Sequence, residues 1–213
     1  LHNESNEEET IMNKSTAKII TWSAAWGAAA AAAGALGLLA RLPAAAMPAF
    51  AAVASLVLSV AIIRGGWLDE ALRGIGLTAI LAANAGRLVG FAFLWLHARG
   101  RLPAEFAERA GWGDVAAAVG AILLLAWGRG ILFPWALLTW NVLGLVDLFV
   151  AVGTAVWLEV NHPGSMAEMT RFPICVVPLW AVPLLFAGHV HLLKKAFAGR
   201  CGSRAGGADT AHA

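Results

Sequence analysis

Six stretches of this chain are too long and too free of charge to be hidden in a soluble core. Ile19–Ala40 and Leu42–Ile63 each run for 22 residues without a charged side chain. At about 1.5 Å per residue, either can cross a hydrocarbon layer about 30 Å thick. Gly74–Leu96 has Arg87 as its only charge, and Ile131–Leu158 has Asp147. Phe172–Leu193 carries Pro173, Pro178 and Pro183 at five-residue spacing, which predicts a kinked helix. Val115–Gly128 has only 14 uncharged residues and spans only if Gly111–Asp114 and Arg129 lie at the two interfaces. Asp114 then reads as the N-cap of that helix.

Only 13% of the 213 residues are charged, against about 25% in soluble domains. The expected fold is therefore all-α, a polytopic transmembrane bundle of about six helices. The spans are placed at about 19–40, 43–63, 75–97, 112–128, 132–158 and 172–193. Residues 1–18 and 198–213 are expected to be disordered tails, and Met12 is a candidate start. The first run exceeds the 7–15 residues usual for a signal-peptide core, so it reads as a span.

Six spans put both termini on one side. That side holds Lys14, Lys18, Arg64, Arg73, Arg129, Lys194, Lys195, Arg200 and Arg204. The other holds Arg41, Arg99, Arg101, Arg109 and Arg171. Nine cations against five favour cytoplasmic termini in a bacterial inner membrane. The bilayer is the expected partner. No basic cluster with interleaved aromatics points to nucleic acid.

The charges inside the spans carry the functional reading. A central charge costs about 2.5–3.5 kcal/mol on insertion scales, so it is expected to find a partner. Arg87 lies nine residues before Leu96, and Asp147 eleven before Leu158, on two helices running the same way. Their depths agree to within about a turn, which predicts a buried Arg87–Asp147 pair with Asn84 one turn from Arg87. Such a pair either fixes helix register or marks a site for a small polar or anionic ligand. Gly86 and Gly90, and Gly144 and Ala151 beside Asp147, suit close helix packing, within the chain or between copies of it. Thr154 shares the face of Asp147, whereas Asn141 points about 120° away and needs another partner.

The remaining candidates are weaker. Asp114, placed near an interface, is expected to lie too far from Asp147 for a shared-proton dyad. His189 and His191 point about 200° apart, and the topology places His97 at one end of the bundle and His189 near the other. No metal or cofactor site is expected, because no convergent ligand set is visible. Cys175 and Cys201 lack metal or disulfide spacing. No nucleophile elbow, His-Glu-x-x-His motif or P-loop is present, so no catalytic residue is assigned.

The pattern R-x-x-G-x-x-F-L at Arg87–Leu94, G-x-L-P-x-x-F-A at Gly100–Ala107 and A-G-x-G-D at Ala110–Asp114 resembles a family of small, uncharacterised bacterial multi-pass membrane proteins. The N-x-L-G-L-x-D stretch at Asn141–Asp147 and the proline-rich sixth run are similar too. The resemblance covers roughly residues 75–195 and implies the membrane class, with no activity to carry over. Three functions stay open: a small permease or ligand-binding membrane protein, a non-catalytic assembly subunit, and an intramembrane enzyme. A cavity reaching Arg87 favours the first, and a tightly packed pair without one favours the second. A lipid-facing cleft where His97, Glu105 or Asp114 converge favours the third.

Overall fold

The computed structural model describes residues 2–43, 45–128 and 130–208, with side chains over 14–43, 45–128 and 130–198. Among these residues the chain is helical without strands. The helices are α1 (His2–Ala35), α2 (Ala46–Arg64), α3 (Trp67–Gly74), α4 (Leu77–Ala85), α5 (Gly90–Ala98), α6 (Ala104–Trp127), α7 (Phe133–Asn161) and α8 (Val182–Ala208). A 3-10 turn, Gly86–Val89, joins α4 to α5, and a π-helical turn, Val177–Ala181, leads into α8. Pro178 and Pro183 each lack the N–H that would bond four residues back, which accounts for the irregular entry.

Five segments are long and apolar enough to cross a membrane: Ala46–Arg64, Leu77–Ala98, Ala104–Trp127, Phe133–Asn161 and Val177–Ala198. Their outward faces are hydrocarbon. On α7, Val142, Leu143, Val146, Phe149 and Val150 are all exposed, a stripe that lipid tolerates and water does not. The protein is a multi-pass α-helical membrane protein.

Three expectations change. The fourth span is not a short helix starting near residue 112, because α6 begins at Ala104, behind Pro103, and takes Glu105, Glu108 and Arg109 into its first turns. Asp114 is therefore no N-cap; it lies in the third turn and is buried. The first run yields a helix ending at Ala35, where Gly37 takes a positive φ of 67°. It is not among the five segments, because Lys18, Thr21, Trp22, Ser23 and Trp26 lower the mean hydropathy of its last 18 residues. Helix also continues through much of both expected tails, back to His2 and on to Ala208. Acidic residues early in a helix favour its N-terminal end, which suits α1. Residues 209–213 lie outside the described residues.

α6 packs against α4, α5 and α7, α8 against α2 and α7, and α1 against α3. The apolar core falls into separate patches. One joins Phe93, Leu96, Phe106 and Leu158 to Met166 and Met169 of the α7–α8 connection, and another joins Ile19, Ile62, Leu68 and Ala187. α1 runs the length of the bundle. The Thr16 hydroxyl donates to the Ala71 carbonyl at one end (3.3 Å), and Trp180 Nε1 donates to the Ser23 carbonyl (2.7 Å). Near its other end, Gly34 lies directly against Cys175 Sγ.

The tightest helix approach is at Gly90 and Gly111. A Cβ on Gly90 would overlap the Gly111 carbonyl and stand 2.8 Å from Asp114 Cβ, both on α6. Gly90→Ala is expected to destabilise the protein by about 1–3 kcal/mol, as overpacked cores do. Gly153→Ala, where nothing lies within 4 Å, should cost far less. Thermal unfolding of both variants in nanodiscs reads the difference; equal melting temperatures would contradict the close packing.

Candidate functional site

Arg87 is the largest fully buried side chain, about 1% exposed, and sits in the 3-10 turn between α4 and α5. Its guanidinium works in three directions. Nε donates to Asp114 Oδ1 of α6 at 2.7 Å, Nη1 to the Gly144 carbonyl of α7 at 3.3 Å, and Nη2 to Asp147 Oδ2 of α7 in a short ion pair. One planar cation thus ties three segments together, the fixed-fork geometry for which arginine is suited. Glycines make the space. A Cβ on Gly113 would overlap the Asp147 carboxylate, and one on Gly144 would stand 3.4 Å from Arg87 Nη1 and 2.6 Å from His189 Cε1.

The separation expected between Asp114 and Asp147 is therefore wrong. The longer α6 carries Asp114 away from the interface, and both carboxylates reach the same guanidinium. Asp114 Oδ1 is taken by Arg87; Oδ2 has no hydrogen-bond partner among the described residues.

His189 is fully buried beside this centre rather than near the bundle end. Its Nδ1 lies 2.6 Å from Asn141 Oδ1 and its Nε2 3.1 Å from Asn84 Oδ1. Each asparagine is held by its own Nδ2, Asn84 to the Ile80 carbonyl and Asn141 to the His189 carbonyl, both at 3.0 Å. The Trp140 ring lies 5.1 Å from the imidazole, tilted by 39°, and its Nε1 donates to the Ala117 carbonyl. Asn84 thus serves His189 rather than Arg87, and Asn141 finds its different partner in the same ring. Thr154 is buried two turns beyond Asp147 and makes no hydrogen bond to it. His97 Nδ1 meets the Leu102 carbonyl at 3.1 Å, in the α5–α6 turn and outside this centre.

A cleft of about 1350 Å³, lined by α1, α2, α4, α7, the Val177–Ala181 turn and the start of α8, reaches Arg87 and Asp114. Its walls are almost all hydrocarbon and indole, including Trp22 and Trp26 of α1 and Ala79 and Ala83 of α4. Asp147 does not line it. Gly86 does, and a Cβ there would meet nothing within 4 Å.

Two polar clusters escaped the sequence reading. Asp69 of α3 is buried and accepts from Lys194 at 2.7 Å and Arg73 at 3.1 Å, with His191 Nδ1 also at 3.1 Å. The signal was the amphipathic WLDEALR segment, with Arg73 one turn after Asp69, against His191 and Lys194 on one face of α8. At the other end, Glu168 pairs with Arg101 and Arg171, and Glu159 accepts from the N–H groups of Gly164 (3.0 Å) and Met166 (2.6 Å). No group of three or more potential metal ligands occurs among the described residues.

Fold and site together define a multi-pass helical membrane protein with a guanidinium clamped by two carboxylates at its centre. The chain belongs to the family described as "Domain of unknown function (DUF8737)", whose model matches residues 47–197, from α2 into α8 and including every residue of the centre. No curated protein and no solved structure matches the chain.

Burial pushes the Asp69 carboxyl up, but hydrogen bonds from Lys194, Arg73 and His191 outweigh it and hold the group below its ordinary value of 3.8. A depressed carboxyl contributes stability that is present above 3.8 and lost as pH falls through the lower folded value. The acid limb of the melting-temperature profile should therefore flatten in Asp69→Asn. An unchanged acid limb would remove Asp69 from the account.

Proposed function

We propose that the protein is a ligand-binding membrane protein, of the small-permease kind, whose site is the Arg87–Asp114–Asp147 centre reached through the cleft. The observation that carries this reading is the cleft itself, whose lining includes Arg87 and Asp114. A purely structural ion pair would be sealed by packing. Here Asp114, one of the two carboxylates, lines a space large enough for a small ligand. Intramembrane ionisable groups that line cavities commonly mark substrate or ion paths.

An intramembrane enzyme is less well supported. Asp114 borders the cleft, but neither His97 nor Glu105 does. As for placement, α1 extends from the level of Ala71 to that of Cys175, which supports its crossing as a sixth span. Both termini then lie on the cytoplasmic side of a bacterial inner membrane, in keeping with nine cations against five.

Native mass spectrometry of the protein released from nanodiscs tests the reading. Wild type should retain a small-molecule adduct that Gly86→Phe, which fills the cleft, loses. Bare wild-type protein, or equal adducts on both, would count against a binding cleft.

A further inference from the structure

His189 is a buried titratable group that the Arg87–Asp114–Asp147 centre does not use, and the two asparagines around it constrain what its ring carries. We propose that His189 is a proton-binding site, whose imidazole takes a second proton so that Nδ1 donates to Asn141 and Nε2 to Asn84.

The orientation of each amide is set from its far side. Asn141 Nδ2 donates to the His189 carbonyl and Asn84 Nδ2 to the Ile80 carbonyl, both at 3.0 Å. Turning either amide over would bring two carbonyl oxygens together at that distance. Both Oδ1 atoms therefore face the ring, at 2.6 Å from Nδ1 and 3.1 Å from Nε2. A neutral imidazole has one N–H and one lone pair, so it satisfies only one of these acceptors. Its other nitrogen would aim a lone pair at an amide oxygen, in a ring with no exposure to water. The imidazolium donates to both. Burial, and the Arg87 guanidinium that faces the ring across Gly144, act against a second charge there. Asp114 and Asp147 sit on that guanidinium and offset part of its effect, while Asp69, His191 and Lys194 form a separate cluster farther along α8. Such opposed effects let the ring gain and lose the proton rather than hold it permanently. Asn84 also lines the cleft, so the proton site and the cleft share one side chain. A permease built on this cleft thereby has a coupling ion; that link rests on the cleft being a binding site, whereas the proton site itself does not.

Solid-state nitrogen NMR of the full-length protein in nanodiscs, with isotope-labelled histidine, reads which ring nitrogens carry protons. The His189 signals are assigned by their loss in His189→Gln or, where that variant does not fold, by their proximity to the Trp140 ring. Both nitrogens should be protonated in a fraction of molecules that grows as pH is lowered from about 8 to about 5. At the pH where half the wild-type rings are imidazolium, Asn84→Leu should lower the ratio of imidazolium to neutral ring about tenfold or more, as loss of one hydrogen bond to a charged group does. Asn84→Asp, which puts a carboxylate at the acceptor position, should raise that ratio. A single protonated nitrogen at every pH from about 5 to about 8 in wild type would overturn the proposal. So would a ratio that both variants leave unchanged. The wild-type titration decides the matter even where a variant fails to fold. A titrating His189 in protein that retains no small-molecule adduct would support the proton site and overturn its link to a ligand.

Discussion

A guanidinium that cannot reach water must be neutralised where it stands. Arg87 occupies the middle of a span, where an unpaired arginine would cost several kcal/mol. Its Nε, Nη1 and Nη2 donate to α6 and to two points on α7, so three of the apolar segments are aligned in depth and rotation by one side chain. Leucine-on-leucine contacts supply little such specificity in lipid, because lipid tails are as apolar as the side chains. The His189–Asn84–Asn141 network extends the alignment to α8, which a hydrophobic face alone would leave free to slide.

Close packing makes this arrangement affordable. Gly90 against Gly111 lets the α5 backbone approach α6, Gly113 leaves room for the Asp147 carboxylate, and Gly144 leaves room for the His189 ring and the Arg87 guanidinium. The interruption at Gly86–Val89 places Arg87 in a tightened turn, with Gly86 facing the cleft. α6 is the hub, touching α4, α5 and α7 while contributing Asp114. Asp69 does a similar service near one end of the bundle, holding the amphipathic α3 to α8.

Much of this was legible in the chain. Uncharged length revealed the long apolar helices, because lipid makes hydropathy a strong constraint. Counting residues from the helix ends put Arg87 and Asp147 at one depth, and they are in contact. Asp114 was misplaced for a definite reason. Glu105, Glu108 and Arg109 read as a polar connection, yet they lie on the early turns of a 24-residue helix. The error moved Asp114 to an interface and hid the second carboxylate. His189 was misplaced because the sixth run was ended at Leu193, whereas the membrane-crossing segment is Val177–Ala198, which puts His189 near its middle. The cleft could not be read from spacing, since it depends on how α1 and α2 lie against α4 and α8.

The central claim is that Arg87 holds Asp114 and Asp147 in one coupled centre. Unfolding free energies in nanodiscs of Arg87→Met, Asp147→Asn and the double variant, repeated with Asp114→Asn, test it most directly. Arg87→Met alone should cost about 3–5 kcal/mol, because it strands two buried carboxylates. Each double variant should cost at least about 1 kcal/mol less than the sum of its single changes, as coupled neighbours do. Additivity to within about 0.5 kcal/mol would contradict the claim.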